Sequence, residues 1–293
     1  MSQQTQREPF GVRLAAAMDA HGPLCVGIDP SAALLGAWGL SDDAGGLERF
    51  SRTVVEAVAG SVAAIKPQAA FFERHGSRGV AVLEQVVADA SAAGVLCVVD
   101  AKRGDIGSTM AAYAEAFAGE GSPLAGDAVT ASPFLGFGSL DPLLAVAERT
   151  GRGVFVLALT SNPEGASVQH ARDDDGVAVA AAVARAAAER NAAAQEAGAA
   201  LGSVGLVVGA TTGGAASRLG VDLAAVHGPL LAPGIGAQGA GPADLARVFG
   251  PARRAVLASS SREVLGAGPS VQALQEAAVR SADACRAALR HEE

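Results

Sequence analysis

Two side chains of opposite charge stand two residues apart where an apolar run of the sequence ends. Asp100 and Lys102 follow Val98 and Val99. Side chains alternate between the two faces of a strand, so the carboxylate and the ammonium group share one face. Charged groups are unfavourable to bury unless they are paired, so one interpretation is an ion pair that closes the mouth of a barrel. The other is a functional site.

Further charged residues at the ends of other apolar runs favour a functional site. Asp29 and Lys66 end earlier runs, and Asp105 follows Lys102 by three positions. A network of alternating acids and bases is neutral overall but shifts the proton affinities of its members, which is more typical of functional than of structural sites. Polar residues also follow later runs; they are Ser161, Asn162, Gln238 and Arg262.

The elements that must position these residues can be predicted from the hydrophobic pattern. Eight short apolar runs rich in Val, Ile and Leu are predicted strands, at 24–29, 63–67, 95–101, 128–132, 153–159, 205–209, 230–233 and 255–259. Ala-rich segments with helical periodicity lie between or after them, at 47–58, 79–93, 108–118, 140–149, 177–197, 215–219, 242–249 and 271–289. Continuous rather than alternating hydrophobicity in the strands predicts a parallel sheet that is covered on both faces.

Eight strand–helix units in 293 residues favour a closed (β/α)8 TIM barrel over an open doubly wound sheet. We predict a single α/β domain over residues 1–293, with residues 1–10 as a flexible tail. In such a barrel the functional residues cluster at the carboxyl ends of the strands, which is where the charged and polar residues fall.

Composition excludes several classes of function. A formal net charge of -8 argues against a protein that binds nucleic acid or an anionic membrane, because both need clustered cations. Cys25, Cys97 and Cys285 are odd in number and widely spaced, which predicts buried free thiols in a reducing compartment. The polar N-terminus and the absence of a stretch of about 18 apolar residues predict a cytoplasmic protein.

The run from Asp100 to Asp105 resembles the D-x-K-x-x-D signature of orotidine 5′-phosphate decarboxylases, in their longer bacterial, actinobacterial-like branch. The resemblance spans nearly the whole chain and includes Gly27–Pro30, Ile65–Pro67, Thr160–Pro163, Pro233–Gly239 and Ser261–Arg262. It implies decarboxylation of orotidine 5′-phosphate to uridine 5′-phosphate (UMP) and CO2, the last step of de novo pyrimidine biosynthesis, with no cofactor and no metal.

The resemblance also implies a role for each residue. Lys102 would stabilise the developing C6 carbanion and protonate it, and Asp100 would lie beside the departing carboxylate. Asp29 and Lys66 would hold the ribose hydroxyls and complete the charge network. Other residues would bind the pyrimidine and the 5′-phosphate; they are Ser161 and Asn162 for the ring, and Gln238 and Arg262 for the phosphate.

Asp105 and Thr109 are implied to reach into the active site of a partner subunit. The resemblance therefore implies a homodimer with shared active sites, whose only other partner is the small-molecule substrate.

Three other functions stay open on the residues alone. A related sugar-phosphate decarboxylase would use the carboxylates as ligands of a divalent metal. A barrel aldolase would use Lys66 or Lys102 as a Schiff-base lysine, which needs a depressed lysine pKa that the nearby carboxylates oppose. A non-catalytic phospholigand-binding barrel is the third. The G-x-G-x-x-G pattern at 234–239 follows the seventh run rather than the first, which disfavours dinucleotide binding.

Overall fold

A closed barrel of eight parallel strands forms the centre of the protein in the computed structural model, which describes residues 7–235 and 240–289. The strands pair in chain order, and the first pairs with the last to close the barrel. They are β1 Leu24–Ile28, β2 Ala64–Pro67, β3 Leu96–Arg103, β4 Ala128–Ala131, β5 Gly153–Leu159, β6 Val204–Val208, β7 Leu230–Pro233 and β8 Val256–Ser260. The predicted TIM barrel is confirmed, and all eight predicted strands are present with small shifts at their ends.

Helices surround the barrel and connect its strands. They are α1 Phe10–His21, α2 Ala32–Ala37, α3 Ala44–Val58, α4 Ala69–Glu73, α5 Gly76–Ala92, α6 Gly107–Ala118, α7 Asp141–Arg149, α8 Ala166–Gln169, α9 Val179–Glu196, α10 Ala215–Leu219, α11 Pro242–Phe249, α12 Arg262–Leu265 and α13 Val271–Leu289. The eight predicted helices are confirmed. Helix α1 and the short helices α2, α4, α8 and α12 were not predicted.

Helix α1 closes the amino-terminal end of the barrel. Phe10, Leu14 and Met18 recur every four residues on one face of this helix and pack with inward-facing strand residues such as Val98 and Phe155. The rings of Phe10 and Phe155 meet edge to face at 5.8 Å. The tail predicted over residues 1–10 is therefore too long, because Phe10 begins a helix and is fully buried.

A second apolar core lies between the outer face of the barrel and the helices. Leu47, Phe50 and Val54 of α3 are fully buried in it, and each such side chain contributes about 1.5–3 kcal/mol through removal from water. The three cysteines are buried and free, as predicted. None of the helices described is long and apolar enough to cross a membrane.

Candidate active site

A cavity of about 770 Å³ opens at the carboxyl ends of the strands. Five residues singled out from the sequence lie on its wall: Asp29, Lys66, Asp100, Lys102 and Arg262. They come from four different strand ends, and the parallel order of the barrel is what brings them together. Four of the five charged residues predicted to form a network, Asp29, Lys66, Asp100 and Lys102, thus lie around one pocket.

Asp100 is the centre of this cluster and accepts hydrogen bonds from four donors. Its Oδ1 accepts from Lys102 Nζ at 2.6 Å and from Thr130 Oγ1 at 2.8 Å. Its Oδ2 accepts from Lys66 Nζ at 2.8 Å and from Gln68 Nε2 at 3.0 Å. Both oxygens therefore accept hydrogen bonds, which fix the orientation of the carboxylate. Only 5% of the residue is exposed.

The two ammonium groups keep this buried carboxylate ionised. Burial by itself raises the pKa of Asp100, but the charges and hydrogen bonds of Lys66 and Lys102 outweigh it and lower the pKa to about 2. Burial likewise opposes the charge of Lys66, but Asp100 and Asp29 raise its pKa above the ordinary value. At neutral pH, Lys66 is an ammonium group facing an Asp100 carboxylate.

Asp29, which lies on the cavity wall, has one carboxylate oxygen without a hydrogen-bond partner in the described part of the chain. Its Oδ1 is buried and has no hydrogen-bond partner among the described residues. The neighbouring strand end is tightly packed, because a Cβ on Gly27 would lie 2.0 Å from Ser261 Oγ and would displace that side chain. A buried acceptor without a partner is unusual, and a ligand hydroxyl that enters the cavity would supply the missing donor.

Lys102 occupies an irregular end of β3. Its φ is +47°, in the left-handed region that residues with a Cβ rarely adopt, and the pairing of β3 with β4 shifts register between Val99 and Arg103. Gly104 then passes so close to β4 that a Cβ would lie 2.2 Å from the Ser132 carbonyl oxygen. The side chain of Lys102 is 44% exposed, so its ammonium group is accessible to a ligand and to solvent.

The opposite side of the cavity suits a phosphate group. Ser259 and Ser260 end β8, Ser261 follows them, and Arg262 begins α12. All four residues line the cavity together with Gly234. Hydroxyl groups and a guanidinium are suitable donors to phosphate oxygens. The predicted phosphate ligand Gln238 lies outside the described residues.

The predicted ring-binding residues Ser161 and Asn162 are not among the described residues that form the cavity wall. Ser161 is exposed and lies beside Gly209, which follows β6. Asn162 accepts a hydrogen bond from Thr160 and donates one to Glu164. Gln169 of α8 holds the same loop by two hydrogen bonds to Thr160, so the 164–175 segment folds back to brace the end of β5. Thr160 is the residue of this loop that lines the cavity.

Asp105 and Thr109 lie outside the pocket of their own chain. Asp105 is half-buried and accepts a hydrogen bond from the N–H of Ile106, while Thr109 is exposed on α6. Neither residue is on the cavity wall as described. The structure thus separates these two residues from the cluster around Asp100.

Two residues that donate hydrogen bonds to Asp100 were not predicted: Gln68, directly after β2, and Thr130 on β4. Both are ordinary residue types more than 25 positions away in the sequence, and no spacing points to them. One feature of the sequence could nevertheless have indicated the charged cluster around Asp100. Lys66 and Lys102 are the only two lysines of the chain, whose other basic residues are arginine or histidine.

Replacing Asp100 by asparagine is expected to lower the free energy of unfolding at pH 7 by about 3 kcal/mol, because Lys66 remains buried without its main counter-ion. The folded pKa of about 2 lies below the ordinary value of 3.8, so the carboxylate contributes stability that is present above about pH 4. This contribution is lost as the pH falls through about 2. Denaturant unfolding from pH 7 to pH 2.5 should show the wild-type advantage shrinking at the acidic end.

Asp42 provides a matched control for this measurement. It forms an ion pair with Arg74, which lowers its pKa, but it lies at the surface. Asp42→Asn should therefore change the stability far less than Asp100→Asn. Equal losses for the two variants would contradict the importance of burial at Asp100.

Comparisons with known proteins agree with this geometry. Residues 22–277 match a family model described as "Orotidine 5′-phosphate decarboxylase / HUMPS family". A relative from Streptomyces coelicolor named orotidine 5′-phosphate decarboxylase is 61% identical over 96% of this chain and 99% of its own length. One of the same name from Salinispora arenicola is 60% identical over the same shares.

Solved structures show the same similarity in three dimensions. A crystal structure from Streptomyces avermitilis has a TM-score of 0.92 and 60% identity, with 99% of each chain covered. The OMP decarboxylase of Leishmania donovani has a TM-score of 0.72 and 31% identity, covering 95% of this chain and 98% of that one.

Proposed function

Because the chain belongs to the orotidine 5′-phosphate decarboxylase family, we propose that it converts orotidine 5′-phosphate to UMP and CO2 at the cavity that contains Asp100 and Lys102. The observation that carries the proposal is the buried Asp100 carboxylate, held between the ammonium groups of Lys66 and Lys102. This arrangement offers one proton donor and one fixed negative charge to a substrate that must lose a carboxylate.

The reaction breaks the bond between C6 of the pyrimidine and its carboxylate carbon. Both electrons of that bond stay on C6 as CO2 leaves, and the Lys102 ammonium stabilises the developing negative charge. Lys102 then transfers a proton to C6 to give UMP, and its exposed position lets solvent restore the proton. Carbon dioxide and UMP together contain the atoms of the substrate plus one proton, which Lys102 supplies and solvent restores, so the step needs no oxidant or reductant.

Asp100 and Asp29 have separate roles in this proposal. Asp100 is ionised and fixed, so a substrate carboxylate beside it would experience like-charge repulsion that ends when CO2 departs. Stabilisation of the carbanion by Lys102 lowers the reaction barrier more than this repulsion does. The Oδ1 atom of Asp29, which has no other partner among the described residues, accepts a hydrogen bond from a ribose hydroxyl. Lys66 binds both Asp100 and the ribose and so fixes their relative positions.

We further propose that the enzyme is a cytoplasmic homodimer with shared active sites. Asp105 and Thr109 lie outside their own pocket, and three large apolar side chains nearby are strongly exposed: Ile106 at 61%, Phe134 at 74% and Leu135 at 53%. Ile106 immediately follows Asp105. A second copy that covers this apolar surface would bring its own Asp105 to the pocket, and exposed apolar patches are typical of such interfaces.

The other functions considered are less well supported. A Schiff-base aldolase needs an uncharged lysine, whereas the carboxylates around Lys66 raise its pKa. To serve as a ligand in a metal-dependent sugar-phosphate decarboxylase, Asp100 would have to give up some of the four donors that occupy its two oxygens. The two relatives of about 60% identity both carry the orotidine 5′-phosphate decarboxylase name.

The proposed function is tested by mixing the purified protein with orotidine 5′-phosphate and following the loss of substrate ultraviolet absorbance, with and without a chelator. We expect turnover that the chelator leaves unchanged. Absence of turnover by protein that is folded would refute the proposed function, and loss of activity in chelator would favour a metal-dependent reaction.

Replacing Arg262 by alanine is expected to lower kcat/KM for orotidine 5′-phosphate by roughly 10- to 100-fold, the range for losing a charge-assisted hydrogen bond. The loss should be absent when the dephosphorylated nucleoside orotidine is the substrate. Steady-state kinetics with both substrates measure the difference. Arg280→Ala, which removes an exposed arginine of α13, serves as the control and should affect neither substrate. Equal losses with both substrates would contradict a phosphate-binding role for Arg262.

A further inference from the structure

The hydroxyl group of Thr130 forms hydrogen bonds with both Asp100 and Lys102, the two residues of the proposed chemistry. It lies on β4 and is 1% exposed. Its Oγ1 donates to Asp100 Oδ1 at 2.8 Å and accepts from the backbone N–H of Lys102 at 2.9 Å. A hydroxyl has one proton to donate and lone pairs to accept with, so both bonds form at once.

The bond to the Lys102 backbone occurs where that backbone is strained. Lys102 has the left-handed φ of +47°, and residue pairing between β3 and β4 shifts register between Val99 and Arg103. Such conformations persist in residues with a Cβ only when surrounding contacts maintain them. The Thr130 hydroxyl supplies one of those contacts at the residue itself.

The contacts of Thr130 close a ring of hydrogen bonds. The N–H of Lys102 donates to Thr130, Thr130 donates to Asp100 Oδ1, and Lys102 Nζ donates to the same oxygen at 2.6 Å. The ring fixes the Lys102 side chain at its backbone and at its charged end. A long flexible chain with four rotatable bonds is thereby limited to a small range of Nζ positions.

We propose that Thr130 is a positioning residue that sets the location of the Lys102 ammonium group for proton transfer to the substrate. The inference rests on the proposed decarboxylase function and adds a residue that the sequence signature does not contain. The ring acts on the proton donor rather than on the phosphate or ribose subsites. Loss of the hydroxyl should therefore lower kcat and leave KM nearly unchanged.

The test compares Thr130→Val, which keeps the shape but removes the hydroxyl, with Thr130→Ser, which keeps the hydroxyl. We expect Thr130→Val to lower kcat by roughly 10- to 100-fold, as for loss of a hydrogen bond to a charged group, with KM changed by less than about 3-fold. Thr130→Ser should recover most of the lost kcat. Thr130→Ala gives the same comparison if the valine variant does not fold.

Thr150 provides a matched control, because its buried hydroxyl lies within hydrogen-bond distance of the backbone carbonyls of Ala118 and Val146, away from the cavity. Thr150→Val should lower thermal stability without changing kcat. If Thr130→Val and Thr130→Ala, folded, keep wild-type kcat, or if Thr130→Ser is as slow as Thr130→Val, the proposed positioning role is wrong.

The small number of lysines allows a measurement that does not depend on turnover. Protein labelled with ¹³C at the lysine Cε should give two side-chain resonances, one for each lysine. Thr130→Val should shift or broaden the Lys102 resonance, assigned by Lys102→Arg, more than the Lys66 resonance, whereas Thr150→Val should move neither. An unchanged Lys102 resonance would contradict the inference even if the wild-type protein showed no decarboxylase activity, so the two failures are distinguishable.

Discussion

Replacing Lys102 by alanine is expected to lower kcat for orotidine 5′-phosphate by more than about 10⁴-fold, because one side chain supplies both the charge beside C6 and the proton that C6 receives. The fold should survive. Asp100 keeps three of its four donors in the variant, from Lys66, Gln68 and Thr130. Affinity for UMP, which carries no C6 carboxylate, should change far less than kcat, and this can be measured by calorimetry.

A second substitution separates the two contributions of Lys102. Lys102→Arg keeps a positive charge beside Asp100, but a guanidinium does not release its proton at neutral pH. We expect its kcat to stay within about 10-fold of the alanine variant if proton donation dominates. An arginine variant near the wild-type rate would show that charge alone suffices, and near-wild-type turnover by Lys102→Ala would exclude Lys102 as the proton donor.

The eight strand–helix units could be predicted because hydrophobic periodicity records which residues face the core. The strand over Gly153–Leu159 and the helix over Val271–Leu289 were predicted with the bounds that the structure has. Helix α1 was missed although Phe10, Leu14 and Met18 show helical spacing, because it closes the end of the barrel and belongs to no strand–helix unit. Helices α4 and α12 were missed because each is a short additional helix in a unit whose longer helix, α5 or α13, was predicted.

The candidate site was predictable only in part. Asp29, Lys66, Asp100 and Lys102 stood out because charged residues rarely end apolar strands. Thr130 and Gln68 did not, because their importance lies in contacts with Asp100 across 30 and 32 residues of sequence. The left-handed backbone of Lys102 could not be predicted either, since it results from the register shift between β3 and β4 rather than from residue type.

The position of Asp105 outside its own pocket leads to the second large effect. Asp105→Ala is expected to lower kcat by at least about 100-fold, because in the proposed homodimer it removes a charge from the active site of the partner subunit. If the sites are shared, Asp105→Ala and Lys102→Ala damage different halves of a site. A heterodimer of the two variants then contains one site with both changes and one site with neither.

Co-expression of the two variants with different affinity tags and purification of the heterodimer should therefore yield about half of the wild-type activity, from two chains that are each nearly inactive alone. A heterodimer of Lys102→Ala and Lys66→Ala is the matched control. Both changes lie on the cavity wall of their own chain, so each site carries one of them and activity should stay low.

The comparison of the two heterodimers decides which subunit uses Asp105. If Asp105 served its own pocket, both pairs would behave alike and neither would regain activity. Recovery confined to the pair that contains Asp105→Ala requires that Asp105 and Lys102 of one native site come from different chains. Lys102, the proton donor of one site, and Asp105, which serves the other site, would then be only three positions apart in the same chain. An isolated subunit would therefore lack a complete active site.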